Sequence, residues 1–176
     1  MNSNMVKSQA KDLLDCLQYE EAMHIYDVAY DKYKDSLEQG VIEKRISDAI
    51  MGLEALYLTE ADELPYRLSM RAAKVLSLVN SKYDPAQVKN NIRDAYNRVR
   101  NKYVHGETLK AETKKRLEQQ HGSLTQFAIT IIDYLRASIV AFLKRPNKSG
   151  FIQNIDDCFL DSKKEAEIVK SIFMPY

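Results

Sequence analysis

The sequence predicts an all-α protein, a mostly antiparallel helical bundle with extra helices at both ends. Apolar residues recur at three- to four-residue spacing through nearly the whole chain, which is the period of amphipathic helices. The 176 residues contain 5 Gly and 4 Pro, too few for the tight turns of a β-sandwich or barrel. The length suits one domain with its own core. We therefore expect a single helical domain spanning residues 1–176.

Each helix is predicted from its apolar stripe and from the residues that begin and end it. Thr59 is expected to cap the helix that follows it, and Pro85 suits the first turn of the next. His105 and Gly106 close that helix, a break is expected at 121–123, and 145–150 reads as a turn. The predicted helical stretches are 5–18, 20–37, 41–58, 66–79, 85–103, 110–144 and 162–173, with a short apolar piece at 151–160.

The cysteine content and the lack of a signal peptide or a membrane-spanning stretch point to a cytoplasmic protein. Cys16 and Cys158 are the two thiols, and they form no CxxC pair and have no histidine cluster beside them. This favours a reducing compartment and argues against structural zinc. There is no run of 18 apolar residues and no signal peptide, so we expect no membrane span. Phosphate-loop, dinucleotide-loop, HExxH and calcium-loop motifs are absent too, and we expect no metal and no cofactor.

Charge is distributed unevenly along the chain. The formal net charge is only +1, which by itself argues against a nucleic-acid partner. Residues 1–88, however, carry 10 basic and 15 acidic side chains, whereas residues 89–176 carry 16 basic and 10 acidic ones. Within 89–116 there are nine basic residues and three acidic ones. This local excess is a plausible footprint for phosphate, or else a solvated helix face that meets the acidic first half.

One of the 3 His stands out. His24 lies within an apolar helical stretch and is interpreted as a structural or surface residue, and His121 precedes a glycine and is interpreted as a helix end. His105 closes a helix whose polar side is strongly basic, in the segment Arg100-Asn101-Lys102-Tyr103-Val104-His105-Gly106. Histidine suits proton transfer because its pKa lies near neutrality. His105 is therefore the candidate acid–base residue.

This segment resembles the motif of the HEPN superfamily, an Arg followed by a polar residue and then by a His four to six residues after the Arg. Three further blocks, 52–57, 66–73 and 133–138, resemble the Apea-like branch of that superfamily in order and spacing. The resemblance covers about residues 41–160, and residues 1–40 form a helical lead-in.

The resemblance implies a metal-independent endoribonuclease that cleaves single-stranded RNA at a site composed across a homodimer, in defence or a stress response. It gives catalytic roles to Arg100, Asn101 and His105, with Arg100 on the phosphate and His105 moving protons. An antitoxin or regulatory protein is a possible further partner. The alternatives are a non-catalytic HEPN module that binds RNA, nucleotide or a partner protein, and a structural helical adaptor.

Ideal helix geometry leaves the choice of phosphate ligand open. At 100° per residue, Arg98, Asn101 and His105 share an outward stripe, whereas Arg100 lies about 140° from His105. We take Arg100 as the first candidate and Arg98 as its rival. Lys102 and Tyr103 are further candidates for contact with RNA, although Tyr103 also falls at core spacing.

Glu54 lies on an otherwise apolar helix and is expected to form a structural ion pair. Arg67 and Arg71 lie one turn apart on the next helix, and an ion pair with one of them is the simplest interpretation. The alternative is that Arg67 or Arg71 lines the groove that holds RNA.

Overall fold

Helices dominate the part of the chain that the structure describes, and no strand occurs there. This computed structural model describes residues 26–60, 62–143, 145 and 147–173. The predicted helix 5–18, Cys16 and His24 lie outside the described residues. The predicted all-α class is confirmed.

The helices follow one another with short connections. Residues 26–38 are helical and are called α1. They are followed by α2 (Ile42–Tyr57), α3 (Leu64–Val79), α4 (Pro85–Asp94), a π-helical segment (Ala95–Arg100), α5 (Asn101–Val104), α6 (Ala111–His121), α7 (Leu124–Phe142), α8 (Lys148–Asp157) and α9 (Ser162–Phe173). Most bounds fall within a few residues of those predicted.

The predicted break between α6 and α7 has a clear local cause. Gly122 adopts a left-handed φ of 80°, which ends α6 without the strain that a side chain would bring. The Ser123 hydroxyl then accepts a hydrogen bond from the backbone N–H of Gln126 at 3.0 Å. Together these two residues end one helix and start the next.

Two predicted boundaries are wrong. Thr59 does not cap α3, because Glu63 immediately precedes the helix in a left-handed conformation with φ of 54° and Pro65 lies in the first turn. The predicted turn at 145–150 is also too long. The side chain of Asn147 accepts a hydrogen bond from the Gly150 N–H at 2.8 Å, so α8 begins at Lys148.

α7 is the central helix of the bundle. It packs against α2, α3 and α6, and its apolar residues belong to one cluster that runs from Tyr26 to Ile168. Gly52 allows α2 to approach α7 closely, because a Cβ there would lie 2.7 Å from Leu135 Cδ2. By length and composition α7 is also apolar enough to cross a membrane, but 61% of its apolar window is buried inside the bundle.

α4, the π-helical segment and α5 form one continuous helical run over residues 85–104, which carries the motif and which we call the motif rod. The motif rod packs against two other helices. α4 packs on α3, while the π-helical segment and α5 pack on α2. Ile92, Tyr96 and Val99 are buried, as predicted. Tyr103 is 38% exposed, so its other predicted place in the core is wrong. The end of the rod therefore leaves the bundle surface just before His105.

Candidate functional site

The helix changes its pitch where the motif begins. The backbone N–H of Asn101 donates to the carbonyl of Tyr96, five residues back, where an α-helix would use the residue four back. The widened turn spans Ala95–Arg100. Such π-helical turns occur frequently at functional sites.

The predicted stripe of Arg98, Asn101 and His105 assumed a rotation of 100° per residue, and this assumption fails across the widened turn. Arg98 donates from Nε to Asp94 Oδ1 at 2.6 Å and lines a groove against α6. The Asn101 amide instead accepts from Arg100, on the side of α2. The structure thus joins Asn101 to Arg100 by a hydrogen bond, and no side-chain hydrogen bond joins it to Arg98 among the described residues.

Arg100 is held by an ion pair with Glu54 of α2. Arg100 Nη2 lies 3.1 Å from Glu54 Oε2, and Arg100 Nη1 donates to Asn101 Oδ1 at 3.3 Å. Its guanidinium also lies over the Tyr96 ring, 5.1 Å from the centroid. Glu54 does form an ion pair as predicted, but the expected partners, Arg67 and Arg71, are wrong. The reason is that the π-helical segment packs directly on α2.

The carboxylate of Glu54 lies in a half-buried position. Burial raises its pKa, while the positive charge of Arg100 and the Tyr96 hydroxyl oppose that shift. Its side chain is 15% exposed and that of Arg100 is 22% exposed. The pair is therefore half-buried and still reachable from solvent.

Part of the hydrogen-bonding capacity of Arg100 is unused. A guanidinium has five N–H donors, and Arg100 places one on Glu54 and one on Asn101. Its Nε is buried and has no hydrogen-bond partner among the described residues. One further N–H on each of Nη1 and Nη2 has no partner among the described residues, and the side chain is 22% exposed, so these two donors can bind a phosphate oxygen.

His105 lies at the end of α5 and is exposed. Gly106 has a φ of 72°, its N–H donates to the Tyr103 carbonyl, and the Glu107 N–H donates to the Lys102 carbonyl. This pattern is the Schellman motif, which ends the helix at His105 as predicted. Within the described part of the chain, the His105 ring has no hydrogen bond and no ion pair.

Lys102 and Tyr103 lie beside His105 on an apolar groove of about 530 Å³. The groove is lined by Val41, Val99 and Leu109, among others. Lys102 Nζ lies 2.7 Å from Glu107 Oε2 at its edge, and this contact lowers the pKa of Glu107. Lys102 is thus partly neutralised, while Tyr103 keeps an exposed ring face.

Arg71 does not line a surface groove, which corrects one of the two open interpretations. Its side chain is 2% exposed, and all five of its hydrogen-bond contacts are made inside the protein. It donates twice to Asp156, twice to Glu60 and once to the Tyr57 carbonyl. Arg71 joins α2, α3 and α8, so it has no free donor for RNA.

Arg67 lies one turn before Arg71 and is 36% exposed. Its guanidinium is within 3.4 Å of Glu60 and 3.8 Å of Glu63. It therefore stays accessible, but its partners are the acidic residues ahead of α3. The structure gives no contact between Arg67 and the group around Arg100.

A polar groove between α4 and α6 contains functional candidates that sequence reasoning missed. Asn90, Arg93, Asn97, Arg116 and Gln120 line it together with Asp94 and Arg98. The basic excess over 89–116 contained a signal for Arg93 and Arg116. The amides carry no such signal, since their role depends on how α6 folds back beside α4.

His121 closes α6, in agreement with its predicted structural role. Its ring stacks on Phe127 with the centroids 4.3 Å apart. Burial lowers its pKa, so the ring is neutral at neutral pH. Among the described residues, no group of three or more His, Cys, Asp or Glu is arranged to hold a metal ion.

Comparisons of the chain with protein-family models, with curated proteins and with solved structures found no match. The resemblance to the HEPN superfamily thus depends on the residues quoted above. The arrangement of Glu54, Arg100, Asn101 and His105 is the remaining basis for a function.

Proposed function

We propose that this protein is a metal-independent endoribonuclease that cleaves single-stranded RNA. The observation that carries the proposal is the state of Arg100. It is fixed in place by Glu54 and Asn101, yet two of its terminal N–H groups have no partner among the described residues, and it precedes an exposed histidine at the end of the same rod.

The proposed reaction transfers protons and needs no other co-reactant. A neutral His105 removes the proton from a 2′-hydroxyl, and the 2′-oxygen attacks the adjacent phosphorus. The bond from phosphorus to the 5′-oxygen breaks, and a protonated histidine supplies the proton that the leaving oxygen takes. The products are a 2′,3′-cyclic phosphate and a 5′-hydroxyl. Arg100 stabilises the charge that builds on the non-bridging oxygens.

The two proton transfers favour a site shared by two copies of the chain. Each chain brings one histidine in this motif, so a homodimer supplies a base and an acid. Tyr103 and Val104, immediately before His105, are 38% and 50% exposed. Tyr103 also lines the apolar groove formed with Val41, Val99 and Leu109, and a contiguous apolar surface of this kind is typical of an interface. We place the dimer contact at this end of the rod.

The test is a cleavage assay in EDTA with a labelled single-stranded RNA, followed by analysis of the ends. We expect wild type to leave cyclic-phosphate and 5′-hydroxyl ends, and His105→Ala to leave the RNA intact. Arg136→Ala is the matched control, because Arg136 is an exposed arginine on α7 that is remote in sequence from the motif. Undiminished cleavage by His105→Ala, with a normal melting curve, would remove the catalytic assignment.

A second candidate is a non-catalytic module that binds RNA, nucleotide or a partner protein. One observation favours it: no described residue hydrogen-bonds the His105 ring, whereas a catalytic histidine is commonly oriented by a neighbour. In that case wild type binds RNA without cutting it, with an affinity that falls as salt rises. A gel-shift titration of the same labelled RNA, run beside the cleavage assay, separates the two candidates because it measures binding independently of cleavage.

A further inference from the structure

A second groove lies beside the motif rod, on the side of α6. Its wider part has a volume of about 530 Å³ and a neighbouring part about 400 Å³, and both are lined by Asn90, Asp94 and Gln120. The two parts therefore form one continuous depression along α4 and α6. We call it the α4–α6 groove.

The α4–α6 groove carries positive charge that no internal partner neutralises. Arg93 and Arg116 are exposed, and neither has an ion pair within the described residues. Arg98 is the third arginine, and Asp94 offsets its charge through the 2.6 Å contact. Two guanidinium groups thus remain free to bind an anion.

The same groove presents amides that are equally uncommitted. The side chains of Asn90, Asn97 and Gln120 are exposed and make no hydrogen bond in the described part of the chain. A primary amide offers donors and an acceptor side by side, which matches the edge of a nucleobase. Arginine supplies the charge and the planar stacking face that single-stranded bases use.

The chemistry of the lining distinguishes a nucleic acid from a protein partner. In the wider part, every lining residue is polar or charged. Protein interfaces carry an apolar or aromatic centre, which this groove lacks. Nucleic-acid interfaces are more polar and more positive than protein interfaces.

We propose that the α4–α6 groove binds a stretch of single-stranded RNA, with Arg93 and Arg116 on phosphates and with Asn90, Asn97 and Gln120 on base edges. This deepens the proposed function and rests on it for the identity of the strand. Arg98 lines this groove and precedes Arg100 by two residues and His105 by seven on the same helical rod. In this proposal the amides of the groove set a base preference for the bound strand.

The experiment measures binding in the His105→Ala background, so that cleavage does not disturb it. A labelled single-stranded RNA of about 12 nucleotides is titrated with protein in EDTA at several salt concentrations. The groove variant is Arg93→Gln with Arg116→Gln. The control is Arg136→Gln with Lys163→Gln, which removes two exposed charges from α7 and α9. A third variant, Asn97→Ala with Gln120→Ala, removes two of the amides.

We expect the groove variant to bind roughly tenfold more weakly and to lower the slope of log affinity against log salt by about 1.4, which corresponds to two lost phosphate contacts. The amide variant should lose affinity and base preference with its salt slope unchanged. The control should bind within about twofold of the parent, since it lacks such contacts.

Several results would overturn the groove assignment. They are an absence of RNA binding, an unchanged affinity in the groove variant, an equal loss in the control, saturation by a 5′-mononucleotide at the same concentration as the oligomer, and equal competition by poly-glutamate. The cleavage assay on wild type is scored separately. Groove-dependent binding without cleavage removes the proposed enzyme and keeps the groove, whereas cleavage with groove-independent binding does the reverse.

Discussion

Two arginines of this protein are each paired with a glutamate, and their surroundings differ sharply. Arg71 is 2% exposed and uses all its donors on Glu60, Asp156 and the Tyr57 carbonyl. Arg100 is 22% exposed and uses only two, on Glu54 and Asn101. A saturated guanidinium can only stabilise the fold, whereas one that is fixed but unsaturated can also bind a ligand. Arg71 therefore stabilises the fold, and we propose the functional role for Arg100.

The largest expected effect is on catalysis. Arg100→Ala should reduce RNA cleavage by about 100- to 1,000-fold, the usual cost of one donor to a developing oxyanion. Its free energy of unfolding should fall by about 1–3 kcal/mol, because the half-buried Glu54 carboxylate loses its partner. Initial rates in EDTA and urea titrations measure the two quantities. Cleavage at the wild-type rate would place Arg100 with Arg71 as a structural residue.

The opposite pattern is expected at Arg71. Arg71→Met should lower the free energy of unfolding by about 2–4 kcal/mol, because two carboxylates and a backbone carbonyl lose their partner. Cleavage measured well below the melting temperature should stay within about twofold of wild type, because Arg71 is not a phosphate ligand. A large loss of rate in a folded Arg71→Met protein would contradict the assignment.

The two glutamates should respond to acid in opposite directions. Hydrogen bonds from Arg71 lower the pKa of Glu60 from 4.5 to about 2, so its contribution to stability is present above pH 4.5 and is lost as the pH falls toward 2. Burial raises the pKa of Glu54, so the stability associated with this group is higher below its unfolded pKa and falls as the pH rises.

Urea titrations of Glu60→Gln and Glu54→Gln between pH 2 and 7 measure these contributions. Glu60→Gln should reduce the loss of stability at acid pH. Glu54→Gln should reduce the loss of stability that the raised pKa of Glu54 causes as the pH rises. Identical pH profiles for wild type and Glu60→Gln would contradict the role given to the Arg71 network.

The smallest effect is expected from removing the charge of Glu54. Glu54→Gln keeps the shape of the side chain but leaves Arg100 unneutralised, so RNA should bind about threefold more tightly. The free energy of unfolding at pH 7 should change by no more than about 1 kcal/mol, since relief of carboxylate burial offsets the lost ion pair. Weaker RNA binding by a folded Glu54→Gln protein would show that Glu54 contributes more to positioning Arg100 than to neutralising it.

The fold class and most helix ends could be predicted from local sequence rules. Pro85 starts α4, with the Asp84 carboxylate accepting from the Gln87 N–H at 2.7 Å, and Gly106 and Gly122 end their helices in left-handed conformations. Each of these features depends on residues a few positions apart. Glu63 escaped the same rules, because a non-glycine residue in a left-handed conformation is uncommon and carries no sequence signal.

The candidate site could be predicted only in part from the same local rules. Arg100, Asn101, His105 and Glu54 could be singled out by type and spacing. Their pairing could not, because ideal helix geometry fails across a π-helical turn and the neighbour of each charge depends on which helices pack together. The amides of the α4–α6 groove were missed for the same reason.

The amino-acid sequence by itself determined the helical class, most of the helix ends and the concentration of basic residues around one histidine, since these follow from local periodicity, capping and charge. The tertiary structure alone decided which arginine is saturated. Arg71 meets Asp156 from 85 residues away, while Arg100 meets Glu54 from 46 residues away. Such contacts are set by how helices pack, and packing is a property of the whole core rather than of any segment.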